Sequence, residues 1–198
     1  IKLFEDLKLK SLPKIIECFD ISNTQGKYKT ASMVKFKNGY PFKKDYRKYK
    51  IKSVEGINDY KSMEEVVERR YSRLISENKT LPNLIVIDGG KGQLSSASKI
   101  LKKLKIYDRV NIIGIAKKLE EIYFPNDSFP ILINKKSESL KLLQTIRNEA
   151  HRFAITYHKK LRSKMLIESS LDNIKGIGDK SKFKLIKEYG SIQNINEN

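Results

Sequence analysis

The sequence predicts an α/β protein built on one mixed sheet, and three observations predict it. Short runs of β-branched and apolar residues alternate with longer stretches of helical period. The first three strand-like runs are separated only by tight turns, which makes them antiparallel neighbours. The later strands are separated by helices, the connection that parallel neighbours need. The order reads β-β-β-α-β-α-β and then a closing helix.

Residues 15–22, "IIECFDIS", form the first expected strand, buried but interrupted by Glu17 and Asp20. A turn at "NTQGK" leads into a second strand, and "KNGY" marks a hairpin because Asn-Gly tolerates positive φ. Pro41 and the lysines after it place the third strand at an edge. Ser62 with Glu65 three residues on has the form of a capping box, so a helix is expected from Met63 to about Glu77. "LPNLIVID" is the next strand, "QLSSASKILKKL" an amphipathic helix and "VNIIGIAK" another strand. "EIYFP" and "PILIN" suggest a short hairpin around Asn126-Asp127. A long amphipathic helix starts at Ser137 or Ser139 and runs through "LLQTIRNEAHRFAITYHKKLRSK".

The tail is different. "SSLDNIKGIGDKSKFKLIKEYGSIQNI" reads as helix, Gly-Ile-Gly turn, helix, with a further turn at Gly190-Ser191. It is expected to be a separate all-α unit, too small for a large core. The two expected domains are residues 12–163 and 167–198.

Across 198 residues, 41 Lys and Arg against 23 Asp and Glu leave a net charge of +18. Such an excess suits a polyanion, because each cation beside a phosphate releases condensed counterions. The alternative is a lysine-rich composition with solvated side chains. A 39% hydrophobic fraction excludes a disordered chain. No run approaches a membrane span or a signal peptide. The single cysteine, Cys18, excludes a disulfide framework and fits a reducing cytosol. Both ends look cut, as in a fragment of a longer protein.

Three ionisable residues stand in apolar surroundings: Asp20 in "ECFDIS", Asp88 in "VIDGG" and His151 in "NEAHRFAI". Buried carboxylates are costly unless paired or bound to a cation. Two Asp and one His are donors that can hold Mg2+ or Mn2+, ions suited to phosphodiester hydrolysis. Each has a plainer reading. Asp88 can cap the following helix, Asp20 can pair with a lysine, and His151 can be structural. "GGKGQ" lacks the spacing of a nucleotide-binding P-loop, so its glycines are read as leaving room beside Asp88. Lys91 is either an accessory cation or a solvated turn lysine. "IKGIGDKSKFKLI" has the pattern of a helix-hairpin-helix, with Gly176 and Gly178 in the turn and Lys180 and Lys182 at the next helix start, a sequence-independent phosphate contact. Arg69, Arg70, Arg73, Arg147, Arg152 and Arg162 lie on helices, where they can track a DNA backbone or simply face solvent.

These residues fall in blocks that resemble a known family. "IECFDISNTQG", "DYKSMEEVVERRYSR", "LIVIDGGKGQLSSA", "IGIAKKLEEIYFP" and "LLQTIRNEAHRFAITYHKKLRSK" are similar to the C-terminal half of the bacterial excinuclease UvrC. The tail is similar to the start of that family's helix-hairpin-helix region. The resemblance implies an RNase H-like endonuclease domain that makes the 5′ incision at DNA lesions in nucleotide excision repair. It implies a divalent-metal site of Asp20, Asp88 and His151, damaged double-stranded DNA and a UvrB–DNA complex as partners, and a cytoplasmic protein. One departure stands out: the family reads "DISH" or "DNSH" where this chain has "DISN", so Asn23 replaces a histidine and cannot titrate near neutrality. His158, two helical turns beyond His151, shares its face and is a second candidate. Two rival readings remain: a non-catalytic DNA-binding module on the same fold, and a nuclease of that fold for RNA–DNA hybrids or recombination intermediates.

Overall fold

The computed structural model describes residues 1–24, 28–52, 58–116 and 121–172, and beyond them 178, 181, 184, 185, 188 and 189. Its elements are α1 (Lys2–Asp6), β1 (Ile15–Thr24), β2 (Tyr28–Lys37), β3 (Tyr40–Pro41), β4 (Arg47–Lys50), α2 (Asp59–Ser76), β5 (Leu84–Asp88), α3 (Lys91–Lys103), β6 (Asn111–Ile115), β7 (Ile122–Tyr123) and α4 (Glu138–Asp172). The strands form one sheet ordered β3-β2-β1-β5-β6-β7, with β4 also paired to β2. β2 runs antiparallel to β1, while β1, β5 and β6 are parallel. This is the expected RNase H-like arrangement of antiparallel strands followed by parallel ones.

The Asn38-Gly39 turn has φ of 52° and 84°, the left-handed pair a two-residue hairpin needs. The third expected strand arrives in two pieces. Phe36 pairs with Pro41, which has no N–H to continue the ladder. The chain then makes a 3-10 turn at Lys43–Asp45 and rejoins β2 as β4.

Side chains alternate between two cores. Phe19, Ile21, Ile85 and Ile87 face α2 and α3. Ile16, Cys18, Leu84 and Val86 face α1 and α4. β5 and β6 are buried along their full length, as strands covered on both faces must be. Leu3, Leu7 and Leu9 join the second core, although they precede residue 12, where the domain was expected to begin.

Two corrections concern α2. The helix starts at Asp59, four residues before the expected Met63, because Asn58 caps it by accepting from the Lys61 N–H. Ser62 is inside the helix and donates to the Asn58 carbonyl, so it is no cap. Glu65, expected to complete a capping box, instead accepts from the Lys52 N–H and pairs with Arg69. Arg70 is not a DNA-tracking surface residue. It is 7% exposed and its guanidinium holds the Glu17 carboxylate at 2.5 Å.

The chain divides into two compact units, residues 1–154 and 155–198, with the division inside α4. In the second unit, α4 continues to Asp172, and helical backbone is described at 181, 184–185 and 188–189. Gly178 is exposed, with open space where a Cβ would stand. Gly176, Lys180 and Lys182 lie outside the described residues. Among the described residues no helix is long and apolar enough to cross a membrane.

Candidate metal-binding active site

Alternation along β1 puts Glu17, Phe19 and Ile21 on one face and Cys18 and Asp20 on the other. The same alternation along β5 puts Val86 and Asp88 on that second face. Asp20 and Asp88 are direct register partners in the parallel β1–β5 ladder, so their carboxylates stand side by side. They are 1% and 4% exposed.

α4 brings the third group. Leu143, Ile146, Ala150 and Ala154 are its buried stripe, spaced to lie along the sheet. His151, beside that stripe, keeps 55% of its side chain exposed, and its Nδ1 is 3.4 Å from Asp20 Oδ2. One ligand atom from each of Asp20, Asp88 and His151 lies within 4.8 Å of the others. The helix is tied to the sheet at this point. Ser32, the β2 partner of Asp20, donates to the Ala150 carbonyl at 3.2 Å. Tyr46 donates to Glu149 at 3.1 Å and meets the Phe153 ring edge-on at 5.1 Å between centroids.

One of the plainer readings meets a direct observation, that of Asp88 as a cap. α3 is capped by Gly90, without a side-chain hydrogen bond, so Asp88 is not its cap. His151 is half exposed at the mouth of the cluster rather than a satisfied core histidine. Asp20 faces His151. The contrast with Glu17 on the same strand is instructive. Glu17, on the opposite face, is neutralised by Arg70 and accepts from the Tyr71 hydroxyl at 3.2 Å. Asp20 and Asp88 stand side by side on the other face, with His151 at Asp20. Burial, reinforced by Asp88 and Asp20, pushes the Cys18 thiol well up, with Arg147 opposing. Arg147, one turn before His151, thus adds positive potential to this end of the sheet. Two carboxylates and an imidazole are a donor set that fits a hard divalent ion.

The glycines after Asp88 have separate reasons. A Cβ on Gly92 would stand 2.6 Å from the Tyr60 ring Cζ, and one on Gly89 would meet the Gln93 amide. Gly90 has open space. Lys91 donates to the Ser128 carbonyl at 2.6 Å and lies 4.7 Å over the Tyr123 ring. Asn23 and His158 lie in β1 and α4, with their side chains outside the described part. Sequence reasoning missed Ser32, Tyr46 and Phe153, whose positions depend on how β2, the turn before β4 and α4 come together.

The model of the UvrC RNase H endonuclease domain matches residues 4–155. The chain belongs to that family. It is 56% identical over 191 residues to the UvrABC system protein C of Flavobacterium psychrophilum, and 54% identical over 191 residues to that of Porphyromonas gingivalis. Each match covers 96% of this chain and 32% of the relative, so the chain spans about a third of those proteins. Among solved structures, an endonuclease V of Ciona intestinalis is similar at 20% identity and a TM-score of 0.40, over 69% of this chain and 56% of its own. That resemblance is too remote to bear on chemistry.

Proposed function

We propose that this chain is the divalent-metal-dependent endonuclease part of a UvrABC system protein C and makes the 5′ incision at DNA lesions in nucleotide excision repair. The observation that carries it is the meeting of Asp20, Asp88 and His151 on one sheet face in a chain of that family. A bound Mg2+ or Mn2+ supplies Lewis acidity to a phosphoryl oxygen and acidifies a water. Asp20 and Asp88, register partners on two adjacent strands, would hold such an ion. His151 completes the set or takes a proton from the attacking water at its imidazole. Asn23, Lys91 and His158 are accessory candidates.

The RNase H-like domain covers residues 12–163 together with the leucines that pack onto it from the preceding segment, and residues 167–198 form a helix-hairpin-helix unit. There Gly176, Gly178, Lys180 and Lys182 hold duplex phosphates. The substrate is damaged double-stranded DNA, presented by a UvrB–DNA complex to the longer protein in the cytoplasm.

The test is cleavage of a lesion-bearing duplex with Mg2+ or Mn2+, comparing the chain with its Asp88→Ala variant. Cutting that disappears in the variant is expected. Undiminished cutting would overturn the mechanism, absence of ion binding would favour the inert DNA-binding module, and faster cutting of an RNA–DNA hybrid would favour the hybrid nuclease.

A further inference from the structure

At the level of the candidate metal site one row of paired residues crosses four strands. Asp88 pairs with Asp20, Asp20 with Ser32, and Ser32 with Lys48. Direct register partners point to the same face of a sheet, so Lys48 shares the face of the two carboxylates. Phe153 of α4 confirms this, since the Lys48 ammonium lies 4.7 Å over its ring. The neighbours on β4 are consistent: Tyr49 packs into the opposite core.

Two strand steps of about 4.8 Å put the Lys48 backbone about 10 Å from Asp20. Lys48 is exposed, and the ring limits where its ammonium can go. A cation standing on an aromatic face keeps its charge while losing part of its mobility. It also lies in the most basic stretch of this edge: residues 40–52 hold six Lys and Arg and one Asp. That acid, Asp45, is held by Lys35 at 2.8 Å. Arg47 turns its guanidinium back onto the Tyr46 and Lys44 carbonyls, which leaves Lys48 as the member of the pair directed to the site face.

The geometry points to Lys48, propped on Phe153, as the group that takes a backbone phosphate neighbouring the one to be cut, so that the DNA strand lies across β1 and β2 towards the β4 edge. This rests on the nuclease reading of the Asp20–Asp88–His151 site. Lys48 holds the strand and touches no reacting atom, so its removal should weaken binding rather than chemistry.

The experiment uses the 198-residue chain, its Lys48→Met and Lys48→Arg variants, and oligonucleotides carrying one neutral methylphosphonate at successive positions around the cut. Binding is measured in Ca2+ over a range of salt, and cleavage in Mn2+. Lys48→Met keeps the stem that covers Phe153, so an unchanged melting temperature confirms that it folds. It should lower the slope of log affinity against log salt by about 1 and raise KM with kcat kept, and Lys48→Arg should restore both. At one position beside the cut, the methylphosphonate should weaken the parent chain and leave Lys48→Met unaffected. Equal penalties in both proteins at every position, or an unchanged salt slope, would overturn the assignment. A parent chain that binds DNA but cuts none would overturn the nuclease reading alone, because the binding comparison still reports on Lys48.

Discussion

Asp20 and Asp88 are register partners on adjacent parallel strands, both buried, on the sheet face covered by α4. Strand partners on one face are the closest neighbours a sheet offers. Two carboxylates there repel one another in a medium that screens poorly. This pair is the part of the sheet on which the proposed metal site rests. Three residues earlier on β1 and on the opposite face, Glu17 faces an arginine and a tyrosine hydroxyl.

Relieving the repulsion should therefore stabilise the metal-free chain. Asp88→Asn keeps the shape and removes one charge. In a chelator its melting should shift up by about 1–2 kcal/mol in stability, as when a strained functional site is relaxed. Adding Mn2+ should raise the melting temperature of the parent chain, by about 2.7 kcal/mol at a hundredfold excess over Kd, and leave the variant unmoved. Thermal melts with and without the ion check both. A variant that melts lower in chelator and still responds to Mn2+ would contradict the assignment.

The Glu17–Arg70 pair makes the opposite prediction. Arg70→Met leaves the Glu17 carboxylate buried and uncompensated, at a cost of about 3–5 kcal/mol. Adding Glu17→Leu removes the stranded charge and should recover most of that loss. Urea denaturation of the single and double variants measures it. A single-variant cost below about 1 kcal/mol would show that water reaches Glu17.

Much of this was legible in the residues. The apolar runs gave β1, β5 and β6, Asn38-Gly39 gave its hairpin, and carboxylates set into apolar strands flagged Asp20 and Asp88. What stayed hidden depends on pairing. Whether an arginine on a helix meets DNA or a buried glutamate is decided by which strand the helix covers, and Arg70 covers β1. That Ser32 and Lys48 stand in line with Asp20 follows from register, which local sequence does not encode. The early start of α2 was missed because Ser62-x-x-Glu65 imitates a capping box, while the working cap is Asn58. α1 was missed because three leucines in a lysine-rich stretch carry too short a period to read.

Gly92 should be coupled to Tyr60. Alanine is the better residue within a helix by up to about 1 kcal/mol, but here its Cβ would run into the Tyr60 ring. Tyr60 is exposed enough to swing aside, so Gly92→Ala alone should change stability little while shifting the Tyr60 ring resonances. In a Tyr60→Ala background the same change should be stabilising by about 0.5–1 kcal/mol. A double-mutant cycle with no coupling would place the ring elsewhere.

The Lys35–Asp45 bridge ties the 3-10 turn between β3 and β4 back to β2, and it should give the chain an acid-side stability. The Lys35 hydrogen bond holds the Asp45 carboxyl below its ordinary value, against a smaller opposing effect of burial. A carboxyl lowered on folding contributes stability that is fully present above its unfolded pKa of about 3.9. That contribution is lost as pH falls through the lower folded value. Lys35→Met should therefore destabilise the chain at neutral pH, with the gap from the parent constant down to about pH 5 and closing below pH 4. Denaturation midpoints across pH 3–7 measure the gap. A difference that persists undiminished at the acid end would mean that Lys35 acts through packing on the Phe42 ring, 5.9 Å away, rather than through the Asp45 charge.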